Sequence, residues 1–292
     1  MTLIRLSILI FLIVFTKIFP ETSFKQIGPP WGYVFNQWDG PPIDIINYIP
    51  PNAGPNTPLL IVIPGASRDA QRFHGSWLDL AKKHHFSVVT IGASKKFFPN
   101  EYSYNAGNVI DENDNNIHED KWLFSSIELI FNDFKKRYGF EIKNFNLFGH
   151  SAGGGFVHRY LLFNPDAPIN KAVAANPAFV TLPNYEIEYP FGLKNIPLKK
   201  LNIESWFSQS MAIILGSNDI GPRTKPLSNG PMAKAQGPNC LTRGKLLFEK
   251  GTLKAKKEKL LINWELIIVP GVGHDNYNIA PTACEYLFDI KK

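Results

Sequence analysis

One stretch constrains this chain more than any other, NFNLFGHSAGGGF at residues 144–156. Its first half is a short apolar run typical of a buried strand, and the residues from Ala152 onward have the apolar spacing of a helix. Gly149 to Gly153, between them, fits the pattern G-x-S-x-G. A strand that turns sharply into a helix presents such a serine at the turn, where only small neighbours fit. The stretch therefore predicts an α/β fold with Ser151 exposed at the positive end of a helix.

Apolar runs and helix-like segments alternate along most of the chain. A hairpin is predicted first, with strands at 33–37 and 43–48 around a Pro/Gly-rich turn. Continuous apolar runs then predict strands buried on both faces, at 59–63, 87–91, 145–148, 171–175, 211–215 and 264–269. Helices are predicted at 76–84, 121–138, 152–163, 241–260 and 281–290. This order predicts a mostly parallel sheet with helices on both faces and an antiparallel start.

Residues 23–292 are interpreted as a single domain, interrupted by two irregular insertions. The insertions cover residues 176–209, which are rich in proline and aromatic residues, and residues 220–240, which are rich in turn-forming residues. Neither is regular enough to form a domain, so both are expected to be loops or parts of a small, loop-rich cap.

Residues 1–22 predict a signal peptide or N-terminal anchor. Arg5 precedes an apolar run from Leu6 to Phe15, which is too short to span a bilayer as a helix. We therefore expect a secreted or periplasmic protein.

In an oxidising compartment Cys240 and Cys284 can pair, so a disulfide is predicted, with two separate buried thiols as the alternative.

The composition argues against a nucleic-acid-binding protein or a metalloprotein. The formal net charge is +6, and much of the excess comes from lysines near the C-terminus, which a solvated helix face explains. The sequence shows no zinc-ligand spacing. Asp111, Asn113 and Asn115 alternate like the start of a calcium loop, but Asn116 and Trp122 occupy the positions of its glycine and glutamate. No metal is expected, and no membrane partner beyond residues 1–22.

Three of the predicted strands end in residues that can act together. Ser151, Asp219 and His274 each follow a strand, and the carboxyl ends of parallel strands meet at one edge of a sheet. A serine hydroxyl needs a base such as histidine to take its proton, and a buried carboxylate orients that imidazole. Asp275 is the alternative to Asp219, but it is adjacent to His274 in sequence. The order Ser, Asp, His predicts a catalytic triad.

An oxyanion formed at Ser151 needs backbone N–H donors. Ala152, directly after the serine, is expected to supply one, and the loop after residues 59–63 the other, through Ala66.

With these residues, the chain resembles the α/β-hydrolases, in the branch of secreted esterases and polyhydroxyalkanoate-depolymerase-like enzymes. GHSAGGG, LGSND and VPGVGHD occur in the expected order, and the likeness extends from about Pro30 to the C-terminus. The resemblance implies an eight-stranded sheet and ester hydrolysis by the triad without a cofactor. One departure is Pro64-Gly65, where many relatives carry His-Gly; it makes Ser67 an alternative to Ala66.

The substrate pocket is less well determined by the sequence. Its apolar lining is predicted to include the aromatic residues Phe73, Trp77, Trp206, Phe207 and Tyr277, with core packing as the alternative for each. His74 could also line it, whereas His150 and the remaining histidines are interpreted as structural or solvated. Arg223 and Lys225 could meet an anionic substrate group, although surface charge is the simpler interpretation.

The leading hypothesis is a secreted serine esterase acting on a small or polymeric ester. A serine peptidase on the same fold is one alternative; such peptidases carry a large N-terminal domain, for which too few residues precede the first predicted strand. A non-catalytic binding protein is the other, but such proteins commonly lose the serine or the histidine. The acyl group, the alcohol and the oligomeric state stay open.

Overall fold

The computed structural model describes residues 32–198, 201–221 and 227–290. Within these ranges the strands are β1 Gly32–Phe35, β2 Ile43–Tyr48, β3 Leu59–Ile63, β4 Ser87–Gly92, β5 Phe145–His150, β6 Ile169–Ala175, β7 Met211–Gly216 and β8 Trp264–Val269. The α-helices are α1 Ala70–His84, α2 Leu123–Tyr138, α3 Ala152–Phe163, α4 Ile203–Ser208, α5 Pro231–Ala235, α6 Cys240–Glu258 and α7 Asn276–Leu287. The predicted signal segment, residues 1–22, lies outside the described residues, so export stays a prediction.

The strands form a single eight-stranded sheet in the order β1-β2-β4-β3-β5-β6-β7-β8. β2 pairs antiparallel with both β1 and β4, and the other neighbouring pairs are parallel. The expectation of a mostly parallel eight-stranded sheet with an antiparallel start is confirmed. β5 lies inside the sheet between β3 and β6, so the loops that follow these three strands meet around its carboxyl end.

Helices cover both faces of the sheet, which explains why β3, β4, β5 and β7 are buried at every residue. On β3, Leu60 and Val62 face a core layer that also contains residues of α1 and α7. Leu59, Ile61 and Ile63 face the opposite layer, which contains residues of α2, α3 and α6. Every residue of β3 is at most 1% exposed. Because both faces of the sheet are buried, the two core layers are the main source of hydrophobic stabilisation.

Two helices begin earlier than the sequence predicted, because aspartates cap them. Asp69 accepts a hydrogen bond from the backbone N–H of Arg72, which starts α1 at Ala70. Asp275 accepts from the N–H of Tyr277, which starts α7 at Asn276 and places Pro281 inside the helix. The prediction had used that proline as the start. In addition, α4 lies within residues 176–209, which were expected to be irregular.

The first insertion is held to the domain by a buried arginine of α3. Arg159 is fully buried, and its guanidinium donates to the side chain of Thr181 and to backbone carbonyls that include Phe179 O and Pro190 O. Residues 179–190 of the insertion thus contact α3 through this side chain. Among the described helices none is long and apolar enough to cross a membrane.

Candidate active site

Ser151 occupies a sharp turn between β5 and α3. Its backbone has φ 61° and ψ −117°, a conformation that costs a non-glycine residue about 1–3 kcal/mol. Neighbouring glycines permit the turn, because an added Cβ on Gly153 would lie 2.1 Å from Ile63 O and one on Gly154 would lie 2.4 Å from Ala175 O. The backbones of β3 and β6 therefore approach α3 closely on both sides of the serine. The strained turn predicted from the sequence is present.

His274 and Asp219 form a hydrogen-bonded pair. His274 Nδ1 lies 2.7 Å from Asp219 Oδ2, and the Asp219 side chain is only 1% exposed. Because the carboxylate accepts a hydrogen bond from Nδ1–H, Nε2 is the nitrogen that can serve as a base. Asp275, the alternative, instead caps α7 and accepts a hydrogen bond from Asn278 Nδ2. The geometry therefore favours Asp219 as the partner of His274.

Ser151 and His274 both line one pocket of about 670 Å³. Its other lining residues come mainly from the loops after β3, β4 and β6, and they include Ala66, Ser67, Ala152 and Phe73. An added Cβ on Gly65 would lie 3.4 Å from Ser151 Cβ, so the loop after β3 is in close contact with the serine. The three residues of the predicted triad thus lie at one site, formed by the loops after β5, β7 and β8.

Both predicted oxyanion donors line this pocket. Ala152 is the first residue of α3, where a backbone N–H has no partner within the helix, and Ala66 belongs to the loop after β3. Neither N–H donates to an acceptor among the residues that the structure describes. Ser67 lies in the same loop and lines the same pocket, so both alternatives for the second donor stay open.

His150 is more closely tied to the site than the sequence indicated. It is 3% exposed, lines the pocket, and its ring centroid lies 4.5 Å from that of His274. Asn176 donates from Nδ2 to His150 Nε2 at 3.2 Å and accepts from the N–H of Gly216 at 2.9 Å. Asn176 thereby connects the ends of β5, β6 and β7. Neither residue could be identified from local spacing, because the contacts join the carboxyl ends of four strands that are far apart in sequence.

The aromatic lining predicted for the pocket is largely wrong. Phe73 lines it, but Trp77 and Trp206 are fully buried in the core. Trp77 packs edge-on against Phe148 on the α1 side of the sheet. Trp206 packs with Phe207 and Trp264 on the opposite side. Both rings fill volume between a helix and the sheet.

Two further expectations about the pocket do not hold. Tyr277 is 48% exposed on α7 and contacts the α1 surface near Gly75, outside the pocket lining. His74 is buried beside Thr90, its Nδ1 3.0 Å from Thr90 Oγ1, and burial lowers its pKa to about 4. Arg223 and Lys225 lie outside the described residues.

The predicted disulfide is wrong in this structure. Cys240 and Cys284 are both buried and are not bonded to each other. Cys240 begins α6 and Cys284 lies on α7, and these helices pack against opposite faces of the sheet. The sheet itself separates the two thiols, which sequence spacing cannot reveal.

Potential metal ligands also occur at the site. Asp219, Cys240 and His274 offer atoms that lie within 4.8 Å of one another. The 2.7 Å hydrogen bond already joins the carboxylate to Nδ1, so these atoms fit an acid–imidazole pair better than a cation site. In the loop resembling a calcium site, Asp111 instead accepts from the backbone of Asn113 and Asn115 as a turn cap.

Two solved structures are similar to this chain over most of its length. Poly(aspartic acid) hydrolase-1 from Sphingomonas sp. KT-1 is 32% identical, with a TM-score of 0.84, over 88% of this chain and 98% of that one. A poly(3-hydroxybutyrate) depolymerase from Bordetella parapertussis is 29% identical, with a TM-score of 0.81, over 88% of each chain.

More distant similarity shows the fold alone. The siderophore hydrolase EstB from Aspergillus nidulans is 14% identical, with a TM-score of 0.57, over 91% of this chain and 98% of that one. No protein-family model and no curated protein matches the chain. The sheet order, the turn at Ser151 and the likeness to the Sphingomonas enzyme lead to one conclusion. This chain belongs to the α/β-hydrolase family, in the branch that contains the poly(aspartic acid) hydrolase and the poly(3-hydroxybutyrate) depolymerase.

Proposed function

We propose that this chain is a serine hydrolase that cleaves carboxylic esters through an acyl-enzyme. Ser151 Oγ attacks the ester carbonyl carbon while His274 Nε2 takes its proton. The N–H groups of Ala152 and Ala66 stabilise the oxyanion of the tetrahedral intermediate. The C–O bond then breaks, the alcohol leaves with the proton from Nε2, and water repeats the sequence to release the acid.

One observation carries this proposal. The Asp219–His274 hydrogen bond of 2.7 Å lies at the pocket that also contains Ser151 on its strained turn. The carboxylate fixes the tautomer in which Nε2 is basic and stabilises the imidazolium that forms during attack. The glycines that close the turn hold the serine where substrate can reach it.

Amide hydrolysis is a second candidate, favoured by the 32% identity to an enzyme named for a polyamide, poly(aspartic acid). The same triad can cleave either bond, because the tetrahedral intermediate has the same geometry and only the leaving group differs. Two substrates that share the same acyl group, a 4-nitrophenyl ester and the corresponding 4-nitroanilide, distinguish the two activities.

Export through residues 1–22 is part of the proposal, and N-terminal sequencing of the protein made in its host tests it.

The test of the triad is pre-steady-state kinetics with p-nitrophenyl acetate, butyrate and octanoate. We expect a burst that matches the enzyme concentration in the wild type and in a Ser125→Ala control on α2, outside the pocket lining, and no burst in Ser151→Ala. Asp219→Asn should lower kcat by about 10⁴-fold without a change in Tm, because the imidazole then presents the wrong tautomer. A fluorophosphonate should label Ser151, as mass spectrometry would detect. Undiminished turnover by Ser151→Ala would refute the proposal.

A further inference from the structure

We propose that the pocket recognises a carboxylate group on the substrate, separate from the scissile ester, through Arg72, Arg68 and Lys95. This inference rests on the proposed function and adds a substrate class to it: esters whose acyl or alcohol part carries a negative charge. All three cations line the pocket that contains Ser151 and His274.

The pocket is electrostatically unbalanced. Against the three cations, Glu101 is the one acidic residue among the described lining residues. Elsewhere on the described surface some cations, such as Lys82 and Lys194, lie within 4.0 Å of a carboxylate, and others, such as Lys96, do not. Among the described residues no carboxylate lies that close to a nitrogen of the three pocket cations. The lining thus carries three cations against one carboxylate, and none of the three cations forms an ion pair with a described residue.

Arg68 is held in place without an anionic partner. Its guanidinium stacks 3.3 Å above the ring of Tyr104, and Nη2 donates to Phe98 O at 3.2 Å and more weakly to Asn100 O. Its Nε is buried and has no acceptor among the described residues, and burial lowers the pKa of the Arg68 guanidinium. Desolvating a cation without a counter-ion destabilises the unliganded pocket, and a bound carboxylate would offset that cost.

Arg72 is positioned by the loop that also carries His274. Its Nη2 donates to Asn276 Oδ1 at 3.2 Å, and Asn276 lies two residues after His274 at the start of α7. Asn276 is 1% exposed, lines the pocket, and its Nδ2 has no acceptor within the described parts of the chain. Asn276 thus has a buried N–H donor that is unsatisfied among the described residues, and it is hydrogen-bonded to the exposed Arg72. An acceptor group on a ligand would satisfy that donor.

These contacts favour a carboxylate over a neutral polar group. Guanidinium groups bind carboxylates with paired, charge-assisted hydrogen bonds. Arg72 lies in the first turn of α1 and Lys95 in the loop after β4, and both are exposed, so a substrate can reach them without displacing the core. Their positive potential would also raise the rate at which anionic substrates arrive.

The test compares esters that differ only in one carboxylate. On the acyl side the pair is p-nitrophenyl hemiglutarate and its methyl ester; on the alcohol side it is 4-acetoxybenzoate and its methyl ester. We measure the ratio of kcat/KM, anionic over neutral, for the wild type, Arg72→Gln, Lys95→Gln and the double variant. Lys96→Gln is the matched control, since Lys96 is exposed and adjacent but does not line the pocket.

We expect the wild type to prefer the anionic member of at least one pair. Each pocket variant should lower that ratio about three- to tenfold, the double variant more, and 0.5 M salt should also lower it. Lys96→Gln should leave it unchanged. The pair that responds identifies whether the carboxylate lies on the acyl or the alcohol side. Ratios that are the same in wild type and the double variant for both pairs would overturn the proposal.

A binding measurement separates this inference from the proposed function. Ser151→Ala, with Arg72 and Lys95 intact, is titrated by calorimetry with glutaric acid mono-4-nitroanilide and with its methyl ester. Tighter binding of the acid, lost on Arg72→Gln/Lys95→Gln, supports carboxylate recognition even if no ester is hydrolysed. Equal binding of acid and ester refutes recognition even if the burst experiment confirms Ser151 as nucleophile.

Discussion

Replacing Arg159 with methionine should destabilise the protein strongly, although Arg159 lies outside the triad. Its guanidinium donates to Thr181 Oγ1 at 2.8 Å, to Asn105 O at 3.1 Å and to Gly155 O at 2.8 Å, and more weakly to Phe179 O and Pro190 O, each at 3.3 Å. Burial lowers its pKa to about 10, so it stays charged at neutral pH.

The magnitude follows from what methionine leaves behind. Asn105 O and Phe179 O receive no other hydrogen bond from the described residues. Two buried carbonyls without donors cost about 1–3 kcal/mol each, or about 2–6 kcal/mol together. Methionine conserves most of the aliphatic volume and removes a buried charge, which keeps the expected loss below the upper limit, at about 4 kcal/mol.

Urea denaturation of the wild type, Arg159→Met and a control, Lys82→Met, measures this loss. Lys82 pairs with Asp79 on the exposed surface of α1, and its removal should cost no more than about 1 kcal/mol. In a thermal scan Arg159→Met should lower Tm by about 8–16 °C, from about 2–4 °C per kcal/mol for a chain of this size. If the two variants differ by less than 1 kcal/mol, the role assigned to Arg159 is wrong.

Two further predictions concern the turn and the pH dependence of stability. Gly153→Ala should abolish folding or activity, because the added Cβ would lie 2.1 Å from Ile63 O. Gly75→Ala should instead stabilise the protein by about 0.5–1 kcal/mol, because Gly75 lies in the interior of α1 and the added Cβ would meet only the Tyr277 hydroxyl, at 3.1 Å. Circular dichroism and Tm distinguish the two variants, and equal effects would contradict the close packing at Gly153. Burial lowers the pKa of His74 to about 4 from 6.5, so the unfolded chain binds a proton that the folded one refuses, and stability should fall as pH decreases from 6.5 to 4, by up to about 1.4 kcal/mol per pH unit. His74→Gln should reduce the measured slope in urea titrations between pH 7 and pH 5 by this contribution. The contribution of His158, whose pKa burial also lowers, should remain. An unchanged slope would exclude His74 as a source.

The sequence predicted those features that depend on local pattern. Continuous apolar runs located the strands to within two or three residues, because a strand covered on both faces must be apolar at every position. The turn at Ser151 was predictable because only glycine permits such close backbone contacts on both sides. Ser151, Asp219 and His274 could be proposed together because parallel strands direct their carboxyl ends to one edge of the sheet.

Only the tertiary structure decided the features that depend on which face of the sheet an element covers. Cys240 and Cys284 appeared suitable for pairing, but α6 and α7 lie on opposite faces. Trp77 and Trp206 belong to helices near the site, yet their rings point into the core. Conversely, His150 and the pocket arginines gained their roles from contacts between loops far apart in sequence. Strand and turn propensities act between neighbouring residues, whereas the surroundings of a side chain depend on long-range packing that no local pattern records.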